Sequence, residues 1–339
     1  MNEQYNIGII GTGTWGTALA CMLSKTGNQV TCWSAIPEEI DKLSGTRIHP
    51  NLPGAVIPDE IVFTKEMEEV CKGRDILVFA VPSVYVRDTA RKAAPFVPDG
   101  QLIVDVAKGI ETDTLMTMTE IIGDVFRKMR PDIHVRLVAL SGPTHAEEVA
   151  VDMPTTIVAA GEDKEAARLV QNVFSNQVMR VYTNEDVKGV EICGAMKNIM
   201  ALASGIASGM GYGDNLRAAI ITRGMAEITR LGRAMGCREQ TFAGLAGIGD
   251  LIVTATSVHS RNNRAGFLIG QGLSAKQAIK EVGMVVEGIN ALPAAMKLAS
   301  EYHVEMPITE AVHAVVFDEM QPKEMLNTLM ERAFTDENH

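Results

Sequence analysis

The sequence predicts an α/β protein, with a doubly wound, mostly parallel sheet followed by an all-helical C-terminal domain. Three observations carry this. Short β-rich runs recur through the first half, most of them followed by helical or turn-forming sequence. The first run ends in a glycine-rich turn. Near residue 188 the β pattern stops and small-residue helical sequence replaces it.

Residues 5–10, 29–33, 75–81, 102–107, 134–140 and 155–160 read as buried strands, and 178–182 as a last one. Strands alternating with helices indicate a parallel sheet wound on both faces. The cluster Thr183, Asn184, Glu185 and Asp186 caps a helix. Residues 189–210, 217–235 and 275–299 then read as helices. The division expected is a dinucleotide-binding domain over 1–188 and a helical substrate and catalytic domain over 189–339.

A net charge of −11 and no long Lys/Arg run argue against nucleic acid or an anionic membrane surface as partner. A small phosphorylated ligand is still compatible, because it responds to its pocket more than to the distant surface. With 46% hydrophobic and 22% charged residues the chain can bury a sizeable core, and only the tail 335–339 reads as disordered. Five scattered cysteines without Cys-x-x-Cys spacing fit reduced thiols, and the histidines show no metal spacing, so no metal is expected. The polar start leads straight into a strand and leaves no room for a signal peptide, and no membrane insertion is expected; the expectation is a cytoplasmic protein. The small-residue helices beyond Gly189 leave room for a homodimer.

Gly11, Gly13 and Gly16 form Gly-x-Gly-x-x-Gly directly after the first strand. The first allows the tight turn, the second a close approach to a pyrophosphate, and the third close helix–sheet packing. The helix opening near Trp15 turns its free N–H groups and positive end to the phosphates. The pattern alone is weak, but here it opens a βαβ series, which makes the sheet Rossmann-like and a dinucleotide the expected ligand. Ser34, Val81-Pro82-Ser83, Lys108-Gly109 and Ser141 to Thr144 follow other strands on the same edge, where such sheets bind ligands.

Three polar groups resist a purely structural explanation. Lys197 lies in a helix that is apolar nearly all round, where a lysine has little route to water. Desolvation lowers such a pKa and suits the group to acid–base work. Asp250 is a lone carboxylate in an apolar run, one helical turn before Thr254, with a helix cap as the equal alternative. Arg261 suits a phosphate, although a solvated arginine is the commoner case.

Together these segments resemble the NAD(P)-dependent glycerol-3-phosphate dehydrogenases of the bacterial cytosolic type. The resemblance runs through Gly-Thr-Gly-Thr-Trp-Gly-Thr-Ala-Leu-Ala (11–20), Leu-Pro-Gly (52–54), Ala-Val-Pro-Ser (80–83) and Ala-Lys-Gly-Ile (107–110). It continues in Ser-Gly-Pro-Thr-His-Ala-Glu-Glu-Val-Ala (141–150), Gly-Ala-Met-Lys-Asn (194–198), Gly-Ile-Gly-Asp-Leu (247–251), Ser-Arg-Asn (260–262) and Gly-Met-Val-Val-Glu-Gly (283–288). It implies reversible hydride transfer between dihydroxyacetone phosphate and sn-glycerol 3-phosphate, supplying phospholipid synthesis. By that resemblance Lys197 transfers the proton. Lys108, Gly142, Thr144, Lys197, Asp250, Ser260, Arg261 and Asn262 contact substrate. Thr14, Trp15, Lys108, Ala146, Arg261, Val285 and Glu287 contact NAD or NADP.

One departure concerns the cofactor. Members of that family often carry a basic residue near Ala35, whereas residues 32–37 here hold neither an acid nor a base. Arg47 can fold back over the site. With no local device against either, both cofactors are expected to be accepted. Two competing readings are a β-hydroxyacid or ketopantoate-type reductase of the same plan and a non-catalytic dinucleotide sensor.

Overall fold

The apolar runs of the first half pair into one sheet in the computed structural model, which describes residues 4–334, 336 and 337. Thr335, Asn338 and His339 of the tail read as disordered, and the first three residues of the polar start, lie outside the described residues. The strands are β1 (Asn6–Ile10), β2 (Gln29–Trp33), β3 (Val62–Thr64), β4 (Ile76–Phe79), β5 (Leu102–Asp105), β6 (Arg136–Ser141), β7 (Thr155–Ala160) and β8 (Met179–Asn184). Their order is β3-β2-β1-β4-β5-β6-β7-β8, with every neighbour parallel except β6 and β7. The short strand β3 escapes the sequence reading because it has three residues and begins at an exposed Val62.

Alternate residues of each strand face opposite sides, as the pleat requires. Ile7, Ile9, Val30, Ile76, Val78, Val104 and Val138 pack beneath α1 (Thr14–Lys25) and near Val149 and Ala150 of α6 (Ala146–Ala150). Ile10, Trp33, Leu77, Phe79 and Ile103 face the other way, against Val86 and Ala90 of one helix and Ile121, Ile122 and Val125 of another. The remaining helices of this half are α2 (Pro37–Thr46), α3 (Met67–Cys71), α4 (Val86–Ala93), α5 (Met118–Met129) and α7 (Lys164–Phe174). Both faces are therefore covered, which explains why the strands read as continuous apolar runs.

After β8 the chain is helical. Asp186 caps α8 (Val187–Gly209), its Oδ1 accepting from the Gly189 N–H at 3.1 Å. This helix is long and apolar enough to cross a bilayer, but the whole of its apolar window is buried inside the chain. Against it pack α9 (Asp214–Ala234), α10 (Glu239–Phe242), α11 (Asp250–Thr256), α12 (Arg261–Gly270), α14 (Glu287–Glu301) and α15 (Pro307–Phe317), while α13 (Ala275–Val282) packs on α12 and α16 (Pro322–Met330) on α15. The single helix expected over 275–299 is two, because Gly283 adopts φ +69° and ends α13 with a left-handed cap.

Helices α8 and α12 touch backbone to backbone. A Cβ on Gly266 would stand 2.1 Å from the Leu202 carbonyl oxygen, and one on Gly205 2.1 Å from that of Asn263. The start of α12, with Ser260 and Arg261, is thereby held in fixed relation to the middle of α8.

Candidate active site

The glycine loop is built as its residue types require. Gly11 has φ +120°, and a Cβ there would meet the Ala80 carbonyl oxygen at 2.6 Å. Its N–H donates to the Trp33 carbonyl at 2.8 Å, tying the loop to the end of β2. Gly16 lies against the Gly11 carbonyl, where a Cβ would come within 2.1 Å. Gly13 precedes the first turn of α1, and the place of its missing Cβ has no atom within 4 Å. Beside it the Thr14 hydroxyl is buried without a hydrogen-bond partner among the described residues. An open approach, free helix N–H groups and an unpaired buried hydroxyl together fit the phosphates of a dinucleotide.

The next strand end connects this loop to the lysines. Ser83 follows β4, and Glu287, in the first turn of α14, accepts from its N–H at 3.0 Å and from its hydroxyl at 2.5 Å. A Cβ on Gly109 would stand 2.4 Å from the Ser83 Cβ, so the glycine after Lys108 lets the two strand ends meet. Val285 lies two residues before Glu287 and is partly buried, as are Trp15 and Ala146, which pack on the sheet core.

Lys108, Lys197 and Asp250 come together although they are far apart in sequence. Asp250 Oδ1 is 2.8 Å from Lys197 Nζ and Oδ2 is 2.6 Å from Lys108 Nζ. Lys108 also donates to the Gly142 carbonyl at 3.2 Å, to which the Thr144 hydroxyl donates at 3.3 Å. Lys197 donates to the Thr254 hydroxyl at 2.6 Å, and Thr254 donates to the Asp250 carbonyl at 2.7 Å. Asp250 is fully buried, opening α11 after a wide π-helical turn at Leu245–Gly249. Its carboxylate binds two ammonium groups instead of capping the helix, so the capping alternative is set aside.

Burial is the main influence on Lys197 and pulls its pKa from 10.5 to about 7. The Asp250 charge opposes that shift, while the nearby Lys108 ammonium adds to it. Gly194 lies against this arrangement: the place of its missing Cβ is 3.4 Å from Lys108 Cγ and 3.3 Å from the Ser141 hydroxyl.

Ser260 caps α12, accepting from the Asn263 N–H at 3.2 Å. Arg261, the first residue of α12, is exposed and makes no hydrogen bond or ion pair among the described residues. Asn262 is turned inward instead. It donates to Asn198 Oδ1 at 3.0 Å and accepts from the Gly288 N–H at 2.8 Å, joining α8, α12 and α14.

Some contributors lie in motifs already noted but are not singled out by them. Asn198 lies in the Lys197 motif but shows its role only through Asn262. Of the histidines, read as incidental, His145 has Nε2 3.3 Å from the Val253 carbonyl, and burial lowers its pKa. The stretch after β2 holds no charged group, as read, but the next turn supplies one. Glu39 accepts from the Ser34 hydroxyl at 2.5 Å and from the Thr12 hydroxyl at 2.7 Å. Arg47 does not fold over the site; its guanidinium donates to the carbonyls of Pro58, Asp59 and Ile61.

Two family models match the chain, described as the N-terminus and the C-terminus of NAD-dependent glycerol-3-phosphate dehydrogenase, over residues 6–167 and 186–327. A glycerol-3-phosphate dehydrogenase [NAD(P)+] 2 of Lactobacillus delbrueckii subsp. bulgaricus is 64% identical over 326 residues, covering 96% of this chain and 97% of the relative. The chain belongs to this family. A glycerol-3-phosphate dehydrogenase [NAD(P)+] of Agathobacter rectalis is 52% identical over 327 residues, 96% of each chain. Among solved structures, the glycerol-3-phosphate dehydrogenase of Coxiella burnetii superposes with a TM-score of 0.92 at 32% identity, covering 97% of this chain and 99% of that one. Its membership agrees with the sheet, the glycine loop and the helical half described above.

Proposed function

We propose that the chain is an NAD(P)-dependent glycerol-3-phosphate dehydrogenase, interconverting sn-glycerol 3-phosphate and dihydroxyacetone phosphate, with Lys197 as the general acid and base. The observation that carries the assignment of Lys197 is its burial beside Asp250 and Lys108 at the edge of the sheet that bears the glycine loop. NAD(P), held by the glycine loop, would supply the hydride chemistry of the reaction in either direction. Lys197, neutral, takes the hydroxyl proton of glycerol 3-phosphate; protonated, it gives that proton to the oxygen of dihydroxyacetone phosphate. A pKa of about 7 populates both forms near neutrality.

In this reading Asp250 orients the two lysines and keeps Lys197 from losing its proton too readily. Lys108, Gly142 and Thr144 line the reacting end of the substrate. Ser260 and Arg261 take the phosphate at the start of α12, where a guanidinium and helix N–H groups favour an anion. Asn262 holds α12 in register. Gly11, Gly13, Thr14, Trp15, Gly16, Ala146, Val285 and Glu287 hold the dinucleotide. The division at residue 188 then separates cofactor binding from substrate chemistry. We place the enzyme in the cytoplasm, a location supported by five unpaired cysteines, where it would supply glycerol 3-phosphate for phospholipids.

The deciding experiment is oxidation of NADH and NADPH with dihydroxyacetone phosphate, ketopantoate and β-keto acids offered in parallel. Turnover of dihydroxyacetone phosphate alone supports the assignment. Turnover of an unphosphorylated keto acid favours the reductase reading, and cofactor binding without turnover favours a sensor.

A further inference from the structure

Glu39 occupies a position that the reaction chemistry leaves unexplained. Pro37 opens α2, and Glu39 lies in its first turn, partly buried. Its Oε2 takes two short hydrogen bonds, from Ser34 at the end of β2 and from Thr12 between the first two glycines of the loop. Ser34 is held in turn by the Ile36 N–H at 3.2 Å. Oε1 has no hydrogen-bond donor among the described residues, so the carboxylate is fixed through one oxygen and offers the other.

This is the corner where the fold receives the adenosine ribose. In doubly wound sheets the ribose hydroxyls meet the residues at the end of the second strand, beside the glycine loop. Here the loop and that strand end are joined by the Gly11 to Trp33 hydrogen bond. A carboxylate in this corner accepts from a ribose hydroxyl and repels a 2′-phosphate. The counterweight would be an arginine, but Arg47 is occupied by three carbonyls and lies over the Phe63 ring, 5.4 Å from its centroid. Lys65 pairs with Asp41 at 2.6 Å, and Lys42 is exposed on the same helix.

We propose that Glu39 selects the cofactor, accepting the 2′-hydroxyl of the adenosine ribose and disfavouring its phosphorylated form, so that the enzyme prefers NADH. This rests on the dinucleotide reading of the glycine loop. Both cofactors still turn over, and the preference is a difference between two affinities to which a repulsive element has been added.

The test uses the purified enzyme and reads binding apart from catalysis. Calorimetric titration with 5′-AMP and adenosine 2′,5′-bisphosphate probes the adenosine corner alone. Kd values for NADH and NADPH follow from their fluorescence on binding. Wild type should favour the ligands without the 2′-phosphate by about tenfold or more. Glu39→Gln keeps an oxygen for Ser34 and Thr12 and removes only the charge. It should shrink the preference about tenfold, mainly by tightening the 2′-phosphorylated ligands. Glu39→Ala should shrink it too, with some loss for NADH. A wild-type preference for the 2′-phosphate, or a ratio unchanged in both variants, overturns the proposal. Failure of all four ligands to bind overturns the dinucleotide reading and this inference with it, whereas binding with an unchanged ratio overturns only the inference.

Discussion

Asp250 holds Lys197 and Lys108 with its two carboxylate oxygens, at 2.8 Å and 2.6 Å, while itself fully buried. Two lysine amines, one of them partly exposed, thus share one buried carboxylate. The pair with Lys197 works against the desolvation that lowers its pKa and so sets where that lysine titrates.

Lys197→Met keeps most of the volume and removes the proton. NADH binding should persist and kcat should fall roughly a hundredfold or more, the scale of general acid–base catalysis. Near-normal turnover in a folded variant would remove Lys197 from the mechanism. With Lys197 as the proton donor, wild-type kcat/KM for reduction should fall as pH rises through about 7, while that for oxidation should rise over the same range. Parallel profiles in the two directions would contradict this assignment.

Asp250→Asn removes the shared charge while keeping the shape. Because that charge raises the Lys197 pKa, its loss should move both inflections below about 7. Reduction at neutral pH should therefore suffer more than oxidation. A lowered rate with unmoved inflections would mean that Asp250 supports the fold alone.

Arg261→Ala should raise KM for dihydroxyacetone phosphate by about tenfold or more, in line with ~1.5–3 kcal/mol for a hydrogen bond to a charged group. Residual activity on unphosphorylated dihydroxyacetone should change little. Equal losses on both substrates would place Arg261 in the fold or at the cofactor.

Gly266→Ala drives a methyl group against the Leu202 carbonyl and should cost about 1–3 kcal/mol of stability, read by denaturant unfolding. KM for the phosphorylated substrate should rise with it, because α12 must shift. Gly45→Ala is the control: nothing lies within 4 Å of that Cβ, and stability should hold or rise. Equal behaviour of the two variants would deny the helix contact its role.

The parts of the fold and site most legible in the sequence are those governed by local rules. The strands of the covered sheet read as apolar runs, and the glycine loop reads from three residues in one turn. Lys197 stands out because an ionisable group in an apolar helix has few ordinary explanations. What the sequence conceals depends on pairing between distant segments. Val62–Thr64 is too short to show alternation and becomes a strand only by lying beside β2. Glu39 reads as an ordinary acid at a helix start, and only the turn after Pro37 brings it back to Ser34 and Thr12. Asn262 appears beside Arg261 in sequence, yet helix geometry sends the two side chains to different surroundings.

The antiparallel pairing of β7 with β6 governs how Lys197 is delivered to the sheet edge. Because β8 runs parallel to β7, the chain leaves the sheet heading away from the crevice and must turn back. It returns as α8: Val190 packs with Ala139 and Val158, Gly194 reaches Ser141, and Lys197 comes about one turn later. From Val187 to Lys197 the helix advances ~15 Å at 1.5 Å per residue. The lysine is consequently mounted partway along a buried beam and not at the tip of a loop. Its reach is set by counting helical residues, so one residue inserted between Val187 and Lys197 would rotate the ammonium group about 100° away from Asp250.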